Sequence, residues 1–231
     1  MQNASSQQDE QAPVFTLSEI FRALCVALLM AFFLRLAVVE LYRVPTQSMQ
    51  PALLPGDYII LSKLAYSLGF SGSLAGWEIP RDWRFFFGKP ANGDIIVFKA
   101  PDQALKFQGI MPQPGQPILY VKRVIAGPGD PVPGLPRTVP YKGMKIRITT
   151  NNTDEWKEFL HIDAAGARID TGLYQVRENY YYVKGDNAAE SSDSRDWGFL
   201  PESAVIGKAV LIYWSAEHDT VRWKRMGNFC N

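Results

Sequence analysis

One stretch limits the folds open to this chain more than any other: IFRALCVALLMAFFLRLAVVEL, residues 20–41. A helix needs roughly 20 mainly apolar residues to cross a bilayer, and this segment is long enough. Arg22 and Arg35 interrupt it, but residues 23–34 between them are uncharged. Arg22 can sit at one headgroup layer, and Arg35 can snorkel toward the other, near Glu40. A cleaved signal peptide has a basic start and ends at small residues; here the start is acidic, and bulky VVELYRVP follows the apolar core. A buried amphipathic helix of a soluble domain is the other competitor. The expectation is a single membrane anchor over residues 20–41, behind a polar and disordered tail, residues 1–19. Basic residues at both ends leave its orientation undetermined by charge. Nothing later approaches a second span, since RFFFG and AVLIYW are far too short.

Past residue 41 the pattern changes. YIILSKLAY, GDIIVFKAP, PILYVKRVIAGPGD, MKIRITTN, NYYYVKGDN and GKAVLIYWS read as strands entered or left through Gly, Pro, Asp or Asn. With 47% apolar and 20% charged residues, a packed core is within reach. The expected fold is mostly β, a coiled antiparallel sheet or barrel-like domain over residues 42–231, with the anchor as its main helix. Residues 136–182 are polar and irregular between firmer strands and read as an inserted cap or subdomain, in which TDEWKEFLHIDAAGA contains a short helix. The aromatic, glycine-rich residues 64–88 read either as a loop tucked into the core or as a lip at the lipid interface. The formal net charge of +1 gives no reason to expect nucleic acid as a partner. Two cysteines, Cys25 and Cys230, exclude a Cys-rich zinc site, and two histidines, His161 and His218, make a His-based metal cluster hard to build.

Three segments carry groups capable of chemistry. In VPTQSMQP two hydroxyls, Thr46 and Ser48, lie between Pro45 and Pro51, where the backbone is restricted. A serine needs a base to become a nucleophile, and neither histidine sits in a segment of catalytic type. In YVKRVIAGPGD, strand alternation sends Lys122 and Arg123 to opposite faces. Taken alone, Lys122 reads as a solvated strand lysine or as a buried, neutral amine. Lowering its pKa from about 10.4 to near 8 costs roughly 3 kcal/mol, which the fold must supply. In VKGDNAAESSDSRDWG, GDN is a turn signal, and SSDSR offers an Asp–Arg pair able to hold a strand rigidly. Asp186, Asn187, Glu190 and Asp193 are oxygen ligands in type, but their spacing is not that of an EF-hand loop.

Together these blocks resemble bacterial type I signal peptidase, the serine–lysine leader peptidase family. PTQSMQPALLPGD is similar to the family's P-S/T-x-S-M-x-P-T-L-x-x-G-D, and GDIIVFKAP to G-D-I-V-V-F. YVKRVIAGPGD resembles Y-x-K-R-V-x-G-x-P-G-D, and GDNAAESSDSRDWG resembles G-D-N-x-x-x-S-x-D-S-R-x-x-G. All four occur in the family's order behind an apolar segment. Two departures, Ala52 for the usual Thr and Ala126–Gly127 for Gly and a larger residue, bear on local turn geometry only.

The resemblance implies a role for each matched residue. Ser48 would be the nucleophile that forms an acyl-enzyme, and Lys122 the neutral general base. Ser191 would hydrogen-bond to the lysine amine and orient it. Thr46 Oγ and the Ser48 main-chain N–H would form the oxyanion hole. Met49 would pack the nucleophile turn, and Asp186, Asp193 and Arg195 would support the site. The substrate would be a preprotein with an A-x-A-like site, lying extended between the segment before Ser48 and the strand PILYVK. No metal and no organic cofactor is implied. The bilayer would be the other partner, with the catalytic domain on the outer side of the cytoplasmic membrane. Two alternatives remain: a related Ser–Lys maturation protease, such as a conjugation-pilus maturase or a self-cleaving repressor, and a membrane-tethered β-domain without activity. The anchor, and the lack of an evident DNA-binding helix pair, argue against the repressor.

Overall fold

The computed structural model of the chain describes residues 16–68, 73–74, 77–78, 85–86, 88–111, 117–152, 156, 159–160, 162–164, 172–217 and 220–231. The described chain opens with helix α1, Leu17–Ala37. Thr16 caps it: its main-chain N–H donates to the Glu19 carboxylate at 2.8 Å, and the Glu19 N–H reaches back to the Thr16 hydroxyl at 3.4 Å. That reciprocal pair satisfies donors a helix start leaves open. Phe21, Leu24, Leu28 and Leu29 are exposed on it. Among the described residues, no helix is long and apolar enough to cross a membrane. The segment read as one anchor over residues 20–41 is divided: the helix ends at Ala37, and strand β1, Val39–Arg43, takes the rest. Val39 is β-branched, and β1 pairs antiparallel with the next strand from Val39↔Ser62 to Arg43↔Tyr58, so sheet pairing outweighs helix propagation there.

Besides four two-residue strands within residues 64–88, the remaining strands are β2 Asp57–Ser62, β3 Ile95–Lys99, β4 Leu119–Ala126, β5 Lys145–Ile148, β6 Gly172–Gln175, β7 Tyr180–Lys184, β8 Leu200–Pro201, β9 Val205–Glu217 and β10 Thr220–Val221. Short helices α2, Asp102–Phe107, and α3, Ser194–Trp197, follow β3 and β7. The main sheet is antiparallel, in the order β1–β2–β9–β3–β4–β7–β8, with β10 turned back onto β9. Register shifts in β9, opposite both β2 and β3, and between Tyr182 and Val183 in β7 bend the strands. The sheet curls into a half-barrel. A mostly β, coiled antiparallel fold is thus what the chain adopts.

β3 is buried at every position from Ile95 to Phe98, as a strand covered on both faces must be. Ile95 and Val97 join Val44, Met49, Leu53 and Val121 on one face. Ile96 and Phe98 join Val124, Val183, Trp197 and Leu200 on the other. A third cluster gathers around the β5–β6 pair, including Ile146, Ile148, Phe159 and Tyr174, within the region read as irregular. Trp156, Phe159 and Leu160 of the expected short helix are buried in it. At its centre the buried Asp163 accepts hydrogen bonds from Tyr174 and Tyr180, both at 2.7 Å. In residues 64–88, Ser67–Leu68 pairs with Phe85–Phe86 and Ser73–Leu74 with Trp77–Glu78. Tyr66 is buried in the core and donates to Asp94 at 2.8 Å; the other aromatic side chains there, like His161 and His218, lie outside the described residues.

Candidate active site

Residues 44–56 form a loop between β1 and β2. Its base is closed by two main-chain bonds, Val44 N–H to Asp57 O at 2.8 Å and Gly56 N–H to Val44 O at 2.9 Å. Its floor is apolar, since Met49 and Leu53 are buried in the core and the Leu53 N–H donates to Met49 O at 2.8 Å. With Met49 pulled inward, Ser48 is held at the rim and is 7% exposed. The Thr46 and Ser48 hydroxyls lie 3.3 Å apart on the same side of the loop. Among the described residues the Ser48 main-chain N–H donates to no acceptor.

Lys122 comes from β4, where Ile96 is its partner in β3. The expected alternation holds: Lys122 and Arg123 face opposite ways. Lys122 is 4% exposed, and its Nζ lies 2.8 Å from Ser48 Oγ. Burial pushes the amine down to about 8, against Asp193, Asp186 and Asp196, which favour the charged form, and with help from Arg195. An amine with a pKa of about 8 is mostly protonated at neutral pH but keeps a neutral fraction there, and that fraction prevails above pH 8. Its lone pair can then accept the serine proton, making the alcohol a nucleophile.

On the other face Arg123 forms a fork with Asp186, at 2.8 Å from Nε and 2.6 Å from Nη2. Asp193 is fully buried and accepts from the Gly185 N–H at 3.0 Å and from Arg195 Nε at 2.8 Å. It also caps α3, in a reciprocal capping box with Asp196. Two of the three carboxylates weighed as metal ligands, Asp186 and Asp193, are therefore committed to guanidinium groups. One expected contact is different. Ser191 Oγ donates to Asp193 at 2.8 Å, and among the described residues Lys122 Nζ is hydrogen-bonded to Ser48 and not to Ser191. A buried carboxylate is a stronger acceptor than a neutral amine, which accounts for the hydroxyl's direction.

Four residues of the site were not anticipated. The Asn187 N–H donates to Ser48 O at 3.1 Å, and its side chain reaches Gln47 O at 3.3 Å, pinning the main chain beneath the serine. Gly185 fits between the two serines: a Cβ there would stand 2.3 Å from Ser191 Oγ and 2.5 Å from Ser48 O. Its place in GDN was read only as a turn. Tyr42 donates to Leu119 O at 3.0 Å, joining β1 to β4. Ser192 Oγ is buried and has no partner among the described residues. Tyr42 and Ser192 lack a signal beyond their neighbours.

Ser48 and Lys122 open onto a cleft of about 290 Å³, bounded by Tyr42, Val44 and Thr46 on one wall and by Leu119, Tyr120 and Val121 on the other. β7 pairs with β4 only from Arg123 onward. The edge of Leu119–Lys122 that does not face β3 is therefore free of strand pairing among the described residues. It faces the segment leading to Ser48.

A family model described as signal peptidase, peptidase S26, matches residues 17–214. Among curated proteins, the chain is 31% identical to a probable signal peptidase I-1 of Synechocystis, over 89% of this chain and 85% of that protein. It is 30% identical to signal peptidase I of Rickettsia typhi, over 87% and 82%. It is 26% identical to signal peptidase I of Haemophilus influenzae, over 91% and 73%.

Proposed function

Since the chain belongs to the signal peptidase family, peptidase S26, and is a serine endopeptidase of signal-peptide processing, we propose that it cuts by a serine–lysine mechanism from a membrane anchor. The observation that carries this reading is the 2.8 Å approach of a buried amine, pushed down to about 8, to a single alcohol. Ser48 Oγ attacks the scissile carbonyl while its proton passes to Lys122 Nζ. The tetrahedral oxyanion takes hydrogen bonds from Thr46 Oγ–H and the Ser48 N–H, each such donor being worth about 2.7–4 kcal/mol in other hydrolases. Lys122 returns the proton to the leaving amine as the C–N bond breaks, and the mature protein departs. A water, deprotonated by the same amine, then hydrolyses the acyl-enzyme and frees the signal peptide. Asp186, Asp193 and Arg195 keep the surrounding turns rigid, with Ser191 acting through Asp193, and Met49 anchors the nucleophile turn.

The preprotein adds as an extended strand to the free edge of Leu119–Lys122, which supplies main-chain hydrogen bonds without reading sequence. The small cleft then selects short side chains before the cut, the A-x-A pattern. Residues 42–231 act as one peptidase domain, with the inserted cap lying between residue 136 and the start of β7 at Tyr180. The anchor expected over residues 20–41 would supply the tether, with α1 as its helical part. Its exposed leucines and phenylalanine suit lipid. Tethered there, with its peptidase domain on the outer side of the cytoplasmic membrane, the site meets signal peptides held in the same bilayer at raised effective concentration. The test is cleavage of a preprotein by detergent-solubilised parent, Ser48→Ala and Lys122→Met proteins. Both variants should fall by at least about 10³-fold; equal cleavage by all three removes the mechanism.

A further inference from the structure

Residues 222–231 take no part in the chemistry above, yet they close around the nucleophile loop from behind. Asp57, at the loop's end, is fully buried. Arg225 holds it through Nη2 at 2.6 Å and Nε at 3.1 and 3.2 Å, and Arg222 Nη2 reaches it at 3.4 Å. The same guanidiniums also hold loop carbonyls: Arg225 Nη2 donates to Ala52 O at 2.9 Å and Arg222 Nη2 to Pro55 O at 2.6 Å. Asp57 further accepts from the Leu54 N–H at 2.8 Å and from Ser215 Oγ at 2.6 Å. The far half of the loop is thus fastened to two arginines, while its near half is fastened at Ser48 O by Asn187.

The segment carrying those arginines is itself tied down. The Arg222 N–H donates to Ser215 O, the Gly227 N–H to Ile212 O and the Cys230 N–H to Val210 O, so it runs beside β9. The Cys230 side chain is buried in the core cluster that contains Met49 and Val121, the neighbours of Ser48 and Lys122. Beyond it, the Asn231 main-chain oxygen accepts from Arg123 at 3.2 Å.

We propose that residues 222–231 form a strap whose arginines, Arg225 foremost, are positioning residues: by fixing residues 52–57 they set Ser48 within reach of Lys122. The inference rests on the serine–lysine reading. The strap touches no reacting atom, so its contribution is geometric. A displacement of about 1 Å at a nucleophile can lower turnover by about 10²-fold. Lysine in place of Arg225 keeps the charge but cannot supply the fork to Asp57 together with the bond to Ala52 O.

The experiment compares detergent-solubilised parent, Arg225→Ala, Arg225→Lys, Ser48→Ala and Ile148→Ala proteins in preprotein cleavage, each assayed well below its own Tm. Ile148 is buried in the cluster around β5 and β6, away from the loop, and serves as a destabilised control. The strap predicts that kcat falls about 10- to 100-fold in Arg225→Ala and less in Arg225→Lys, with KM within about twofold. Ile148→Ala, with a comparable fall in Tm, should keep the parent kcat. Parent-like kcat in both folded Arg225 variants, or a loss no greater than that of Ile148→Ala, overturns the strap. If Arg225→Ala does not fold, the kcat of Arg225→Lys decides alone. Full activity in Ser48→Ala would instead overturn the serine–lysine reading, a separate outcome.

Discussion

Lys122 and Asp193 are both buried beside the same turn, and the fold treats them in opposite ways. Asp193 receives hydrogen bonds from the Gly185 and Arg195 main-chain N–H groups, the Ser191 hydroxyl and two guanidinium nitrogens of Arg195. Burial alone would raise its carboxyl, but the bonds from Arg195, Gly185 and Ser191 outweigh burial and hold it below the ordinary carboxylate value. Lys122 has a serine hydroxyl as its hydrogen-bond partner, and burial prevails, pushing it down to about 8. A buried group keeps its charge when donors or acceptors replace water, and gives the charge up when they do not. The carboxylate region therefore serves rigidity, and the amine region supplies a base.

The sharpest way to break this contrast is to remove the amine. Its pKa is lowered on folding, so between about 8 and 10.5 the unfolded chain binds the proton that the native chain does not, and stability rises with pH across that window. Below it the full penalty stands, about 3 kcal/mol for a shift of this size. Lys122→Met should thus be inactive yet more stable than the parent, by up to about 3 kcal/mol at pH 7, with the gain shrinking above pH 8 and gone above about 10.5. Urea denaturation at several pH values reads this directly. A variant less stable than the parent at pH 7 would mean that the fold pairs the charged amine and does not lower its pKa.

The carboxylate region should respond with the opposite sign. Asp193→Asn leaves Arg195 without its anion. Breaking a fully buried pair costs about 3–5 kcal/mol; the Arg195 side chain keeps 34% exposure, so screening reduces the expected loss to about 2–3 kcal/mol. Because the Asp193 pKa is lowered on folding, its contribution is complete above about 3.8 and is lost as pH falls through the lower native value. The two proteins should therefore differ most near neutrality and converge in acid. A gap that stays constant down to pH 2 would assign the loss to packing.

These two regions were not equally legible in the sequence. The blocks around Ser48 and Lys122 are local, and their order marks the family. Strand alternation alone separates Lys122 from Arg123. The strands β2, β3, β4, β5, β7 and β9 were readable because turn residues flank apolar runs, whereas β1 was hidden in the anchor segment, where an apolar β-branched run reads equally as helix. What was not legible is partner choice. Ser191 could be placed near the amine but not given its acceptor, because the direction of a hydroxyl depends on which neighbour is charged. The strap was invisible for another reason: Arg222 and Arg225 look like solvated residues after a strand, and their carboxylate lies more than a hundred residues earlier.

Ser191 provides the finest test of the contrast, because it borders both regions. Its hydroxyl donates to Asp193, so it belongs with the carboxylate. Replacing it with alanine removes one hydrogen bond to a buried anion that retains its guanidinium, a loss of about 1–2 kcal/mol in stability. The amine should notice little. The acid limb of kcat/KM, which follows protonation of Lys122 in the free enzyme, should keep its midpoint near 8. If Ser191 orients the amine directly, its removal instead takes an acceptor from the ammonium form, which lowers the lysine pKa, moves the acid limb to lower pH and reduces kcat at its plateau. An unmoved midpoint with reduced stability therefore keeps Ser191 on the carboxylate side, and a midpoint displaced by half a unit or more would return it to the lysine.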